Sequence, residues 1–165
     1  MKPRILIVDD HEIVREGIRT LLARSGAEWE VCGEASNAND GIEAIKRLKP
    51  DVVIMDITMP GLSGLEAARR ISKHGLCSRV LMFTMHDAEL LESEVRQAGA
   101  QGFVLKSQAA RDLVLAIRTL LAGGTFFGAS PEPTPRAEEG PDQGAMHFES
   151  LGWVLALGFC NFFLK

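Results

Sequence analysis

Five short apolar runs alternate along the chain with longer amphipathic stretches. The runs Arg4–Val8, Glu30–Glu34, Val52–Met55, Val80–Phe83 and Gly102–Leu105 are short and largely apolar without a break, the pattern of strands covered on both faces. Between them apolar residues recur at helical spacing. The first such stretch places Val14, Ile18, Leu21 and Leu22 on one face and stops at Gly26. The second carries Ile42, Ile45 and Leu48 and stops before Pro50; the third runs from about Leu65 to His74, closed by Gly75. The fourth begins after Asp87, a good N-cap, and ends at Gly99. The fifth follows Ser107, carries Ala110, Leu113, Val114, Ile117, Leu120 and Leu121, and ends at Gly123-Gly124. Strict strand–helix alternation predicts an α/β fold: an open, five-stranded parallel sheet with right-handed crossovers and helices on both faces.

In such sheets ligands sit beyond the carboxyl ends of the strands. Asp9 and Asp10 follow the first strand, Asp56 the third, Thr84 the fourth and Lys106 the fifth. Three carboxylates brought together repel one another unless a cation joins them, and hard oxygen ligands suit Mg²⁺. Lys106 offers a positive charge for an anion and Thr84 a donor. These are parts for phosphoryl transfer, with a carboxylate as nucleophile and a metal and a lysine balancing charge at phosphorus.

The segments Ile5-Leu6-Ile7-Val8-Asp9-Asp10-His11, Asp56-Ile57-Thr58-Met59-Pro60-Gly61-Leu62-Ser63-Gly64, Thr84-Met85-His86 and Gly102-Phe103-Val104-Leu105-Lys106 resemble the receiver domain of two-component response regulators. Thr84-Met85-His86-Asp87 and Leu105-Lys106-Ser107 are most similar to the subgroup whose members carry a LuxR-type helix-turn-helix output domain. The resemblance covers residues 3–127 and implies the flavodoxin-like strand order 2-1-3-4-5. It implies that Asp56 is the phosphoacceptor for the phosphohistidine of a histidine kinase. Asp10, Asp56 and the backbone carbonyl of Thr58 would bind Mg²⁺ directly, and Asp9 through water. Lys106 would pair with Asp56 at rest and with the phosphoryl group afterwards. Thr84 would turn inward to a phosphoryl oxygen, and Phe103 would take the switch-aromatic position and follow it. Pro60 and Gly64 would shape the loop after Asp56. Phe103 stands where a tyrosine is often found, so no hydroxyl is available there, and bulky Met85 would hinder access of water to the acyl phosphate.

Plainer readings exist for single residues. Asp9 with Glu12 fits a helix capping box, and Asp56 before a turn fits simple turn chemistry. His11, His74 and His86 share no metal-ligand spacing and read as surface or loop residues. Cys32 reads as a small core residue, Cys77 as a loop thiol, and Leu115 as an exposed apolar residue. A phosphatase of the haloacid dehalogenase type would place two aspartates one residue apart after the first strand, whereas Asp9 and Asp10 are adjacent. A flavodoxin-type carrier would need a Ser/Thr/Gly-rich phosphate loop there, and Asp9-Asp10-His11-Glu12 would repel the phosphate.

Composition changes the picture mainly at the carboxyl end. The 165 residues are 46% hydrophobic, enough for a full core, and a pI near 5.6 argues against a protein built to coat nucleic acid. Three scattered cysteines make neither a disulfide scaffold nor a zinc site. Residues 129–165 hold four of the seven prolines and five of the ten aromatics, with five acids against two bases. Residues 128–150 read as a Pro-rich, acidic linker. Residues 151–165 are apolar, and as a helix the uncharged stretch would reach only about 21 Å, short of the ~30 Å hydrocarbon core. Membrane contact by this tail is not expected. No basic recognition helix is present, so direct DNA binding by this chain is not expected either. Only four apolar residues precede Asp9, too few for a signal-peptide core of about 7–15, and the expected compartment is the cytoplasm. The resemblance to receiver domains thus implies a phosphoacceptor that needs Mg²⁺, takes phosphate from a histidine kinase, and forms a phosphorylation-dependent homodimer in transcription regulation. The alternatives are an adaptor or phosphate sink without DNA-binding output, or tethering to a partner or membrane through the tail. No enzyme activity is expected beyond catalysis of its own phosphorylation and dephosphorylation.

Overall fold

The computed structural model describes residues 1–76, 78–85 and 88–127, with residues 88–90 as backbone only. The expected linker, the apolar segment 151–165, Cys77, His86 and the Asp87 cap lie outside the described residues. The elements run β1 (Arg4–Val8), α1 (Glu12–Arg24), β2 (Glu30–Ala35), α2 (Ala38–Leu48), β3 (Val52–Asp56), α3 (Gly64–Lys73), β4 (Arg79–Thr84), α4 (Ala88–Gln97), β5 (Gly102–Leu105), α5 (Ala109–Leu121) and β6 (Phe126–Phe127). A single 3₁₀ turn, Lys106–Gln108, leads into α5. The strands form one parallel sheet in the order β2-β1-β3-β4-β5-β6.

Side-chain alternation along each strand splits the core in two. Ile5, Ile7, Val52, Ile54, Leu81, Phe83 and Val104 pack under α1 and α5, against Ile18, Leu22, Leu113, Ala116, Ile117 and Leu120. Leu6, Val8, Val53, Met55, Val80, Met82 and Phe103 pack on the other face under α2, α3 and α4, against residues such as Ile42, Ile45, Ala68, Ile71 and Val95. In α5 the inward face differs from the expected set at two positions. Ala110 is exposed and Val114 is not part of the cluster, whereas Ala109, at the helix start, and Ala116 pack on it.

Local chemistry sets the helix ends. Asn37 accepts the Asp40 amide at 2.9 Å to start α2, and Lys49 ends it in the left-handed region at φ 48°. Ser63 accepts the Glu66 amide at 3.3 Å to start α3. The capping box that was the plainer alternative for Asp9 and Glu12 does not form. His11 occupies the N-cap of α1 without a side-chain bond, and Asp9 Oδ1 accepts the His11 amide at 2.9 Å. This bond closes a turn two residues long and leaves the carboxylate at the end of β1.

Among the described residues six strands stand where five were expected. After Gly123-Gly124 the chain returns along β5, pairing Gly102 with Phe126 and Phe103 with Phe127. Gly102 permits this pairing, because a Cβ there would lie 2.2 Å from the Phe126 carbonyl oxygen. Two residues are too few for a periodic signal in the sequence.

Candidate functional site

Four central strands are apolar until they reach the carboxyl edge of the sheet. There Val8 gives way to Asp9, Met55 to Asp56, Phe83 to Thr84 and Leu105 to Lys106. The parallel register aligns these ends, with Val8 opposite Met55, Asp56 opposite Phe83 and Thr84 opposite Leu105. Asp9, Asp56 and Thr84 are 1%, 3% and 0% exposed. The Lys106 ammonium reaches into the same space, 2.7 Å from Asp9 Oδ2 and 3.1 Å from Asp56 Oδ2. Lys106 therefore bridges two carboxylates, and its shorter contact is with Asp9.

Burial raises the Asp56 carboxyl above its ordinary pKa. The Lys106 ammonium and a hydrogen bond from the Thr58 backbone amide pull it down, while the charge on Asp9 adds to the rise. For Lys106 burial works against the charge, but the nearness of Asp9 and Asp56 outweighs it, and its pKa stands above the ordinary lysine value. Net, Lys106 is held as a cation between two acids.

The loop after β1 brings Asp10 and His11 to the same place. Carboxylate oxygens of Asp9, Asp10 and Asp56 and a ring nitrogen of His11 all lie within 4.8 Å of one another. His11 Nδ1 is 2.9 Å from Asp10 Oδ1 and 3.4 Å from Asp9 Oδ1. The sequence reading placed His11 on the surface. Its ring is 63% exposed, yet it borders the acids, and adjacency to Asp10 was the available signal. Asp9 Oδ2 and Asp10 Oδ1 are shielded from water without a well-directed hydrogen bond, served only by the ion-pair contacts of Lys106 and His11. Buried carboxylate oxygens left in this state fit a divalent cation. The oxygen-rich set suits a hard ion such as Mg²⁺.

The loop after β3 is shaped by close packing. A Cβ on Gly64 would lie 1.9 Å from the Asp56 carbonyl oxygen, so the start of α3 can sit against Asp56 only with glycine there. The Gly64 amide donates to Ile57 at 2.9 Å, and Gly61, after Pro60, takes φ 82°. Thr58 is exposed in this loop. Phe103 is 1% exposed, on the face opposite α5, with its ring edge-to-face to Phe127 at 6.1 Å. The Arg96 guanidinium lies over the Phe127 ring, 3.5 Å from its centre. The sequence reading missed Phe127, because it belongs to a strand only two residues long. Met85, 73% exposed, and Ile13, 75% exposed, border an open apolar groove that reaches Phe83 and Lys106.

A family model described as the response regulator receiver domain matches residues 5–118. The chain belongs to the response regulator receiver family. Response regulator UvrY of Escherichia coli strain K12 is 39% identical over 125 residues, covering 76% of this chain and 57% of that protein. Response regulator GacA of Pseudomonas viridiflava is 38% identical over 124 residues, covering 75% of this chain and 58% of that protein. The chain thus spans less than two thirds of the length of these relatives. A LuxR-family two-component response regulator from Aurantimonas superposes with TM-score 0.72 at 40% identity, over 76% of this chain and 89% of that one. The isolated receiver domain of RcsB from Salmonella enterica, solved with a phosphomimetic BeF₃⁻, superposes with TM-score 0.71 at 30% identity, over 78% and 95%.

This receiver therefore shares its fold and family with two-component regulators, and its relatives include transcription regulators. Receiver domains bind Mg²⁺ in an acidic pocket, and this chain has an Asp-rich group that could hold such an ion. A response regulator receiver domain is not a classical enzyme. Among the described residues no helix is long and apolar enough to cross a membrane.

Proposed function

We propose that this receiver accepts a phosphoryl group on Asp56 from the phosphohistidine of a histidine kinase, in the presence of Mg²⁺, and passes the change on as a switch in transcription control. The observation that carries this reading is the position of Asp56. It is a carboxylate buried at the end of β3, 3.1 Å from Lys106 and grouped with acidic oxygens that lack well-directed hydrogen bonds. A carboxylate oxygen of Asp56 attacks phosphorus, the bond from phosphorus to the kinase imidazole breaks, and the imidazole leaves with the electron pair. When bound at these acids, Mg²⁺ would supply positive charge to offset that of the carboxylates and the phosphoryl group.

Asp10, Asp56 and the Thr58 carbonyl would hold the ion, with Asp9 acting through water. Lys106 exchanges contact with the carboxylate for contact with a phosphoryl oxygen. Thr84, buried at the end of β4, donates to another, and Phe103 secures the inward arrangement. The neighbouring face of α4, β5 and α5 then offers a changed surface to a second receiver or a downstream protein. Met85 stands at the mouth of the site, where its bulk slows water attack on the acyl phosphate.

The test is incubation of the whole chain with a small-molecule phosphodonor and Mg²⁺, read by intact mass and a sizing column. One phosphoryl group is expected on the parent and none on Asp56→Asn, with a dimer appearing only in the phosphorylated sample. No phosphoryl gain, or equal gain in Asp56→Asn, overturns the reading.

A further inference from the structure

Asp9 is held at its main chain as well as at its carboxylate. Its amide donates to the Ala35 carbonyl of β2 at 3.1 Å. Its own carbonyl accepts Arg15 Nη1 at 2.8 Å. The same guanidinium donates from Nε to Glu34 Oε2 at 3.0 Å, and Glu34 precedes Ala35 in β2. Arg15 lies in the first turns of α1, and its side chain is only 15% exposed. Both peptide planes that flank Asp9 are thereby tied to β2, one directly and the other through Arg15.

The second tie bears on the cation site. The Asp9 carbonyl and the Asp10 amide share one planar peptide. Fixing that carbonyl fixes the direction in which the Asp10 Cα leaves the strand, and so the point from which the Asp10 side chain starts toward its neighbour. A planar guanidinium with several fixed donors can bridge a carbonyl and a carboxylate at once, which an ammonium does poorly. We propose that Arg15 is a positioning residue for the cation site. It touches none of the expected ligand atoms, but orients the Asp9-Asp10 peptide so that both carboxylates converge on one ion. The inference rests on the cation-dependent reading given above.

The charge of Arg15 makes the test decisive in sign. A guanidinium close to an acidic pocket repels a cation, so if Arg15 acted only through its charge, removing it would tighten Mg²⁺ binding. If Arg15 positions the acids, removing it weakens binding. Calorimetric titration of Mg²⁺ and Mn²⁺ into the full chain, parent against Arg15→Gln, separates the two, with thermal unfolding measured alongside. The expected result is a dissociation constant raised about tenfold, the usual scale for losing a partner that orients metal ligands. Phosphoryl gain should slow at low Mg²⁺ and recover at saturating Mg²⁺. Should Arg15→Gln fail to fold, Arg15→Lys keeps the charge and loses the bridge, and it too should bind the ion more weakly. Mg²⁺ binding as tight as the parent's, or tighter, in the folded variant overturns the inference. A parent that binds no divalent cation overturns instead the cation-dependent reading of the site, and the inference falls with it.

Discussion

The middle of the sheet and its carboxyl rim are built from the same strands, one residue apart, and follow opposite rules. Ile5 to Val8 and Val52 to Met55 are at most 1% exposed and wholly apolar. Their side chains alternate between two clusters and gain by leaving water. At the next position Asp9 and Asp56 are buried just as deeply, at 1% and 3%, although burial opposes their charge. The interior stabilises the fold by its composition. The rim is held in place by that interior and keeps its charges through Lys106. The difference teaches that burial of equal depth signals packing in one region and chemistry in the other.

The interior variant should show the largest stability effect. Leu81, fully buried opposite Ile54, leaves a cavity when cut to alanine. Leu81→Ala is expected to lower the unfolding free energy by about 2–5 kcal/mol in urea, with the Mg²⁺ affinity of the folded fraction unchanged. Equal loss of Mg²⁺ affinity would show that interior and rim are one unit, and would break the comparison. The rim variant Lys106→Met removes the cation shared by Asp9 and Asp56. Breaking a buried ion pair costs about 3 kcal/mol, and the site lies close enough to solvent for a metal ion to replace the lost charge. Lys106→Met should therefore be destabilised in EDTA and regain much of the loss in Mg²⁺. A deficit that Mg²⁺ does not reduce would mean that Lys106 acts there only as packing.

The interior was largely legible in the sequence, because apolar runs of strand length and helical spacing need no knowledge of neighbours. The identity of the rim residues was legible too, once each strand end was known. Their partnerships were not. The bridge from Lys106 to Asp9 depends on how β1 and β5 ends approach in space, and neither residue carries a local sign of it. His11 is the exposed loop residue expected, but its closeness to the acids is set by the Asp9 turn, not by spacing to another histidine. Arg15 carried no signal in the sequence, since its bonds to Asp9 and Glu34 join α1 to the end of β1 and to β2. β6 was missed because its pairing depends on the bare backbone of Gly102.

The smallest effect concerns Asp56 itself and runs against intuition for a residue at the centre of the site. Burial lifts its carboxyl pKa, the Asp9 charge adds to the lift, and Lys106 with the Thr58 amide offsets only part of it. The folded state therefore takes up this proton at a higher pH than the unfolded chain does. The stability that the group contributes is greatest below its ordinary pKa of 3.8, and is lost as the pH rises through the higher folded value. At neutral pH ionised Asp56 opposes folding, whereas an asparagine never ionises. In EDTA, Asp56→Asn should unfold at a higher temperature than the parent at pH 7. The gap should shrink as the pH falls through the raised pKa and close near the ordinary one. Mg²⁺ at pH 7 should narrow the gap from the other side, because the parent binds the ion more tightly and gains more by mass action. A parent more stable than Asp56→Asn in EDTA at pH 7 would mean that Lys106 more than repays the burial of the charge. The rim would then obey the same stabilising rule as the interior beneath it.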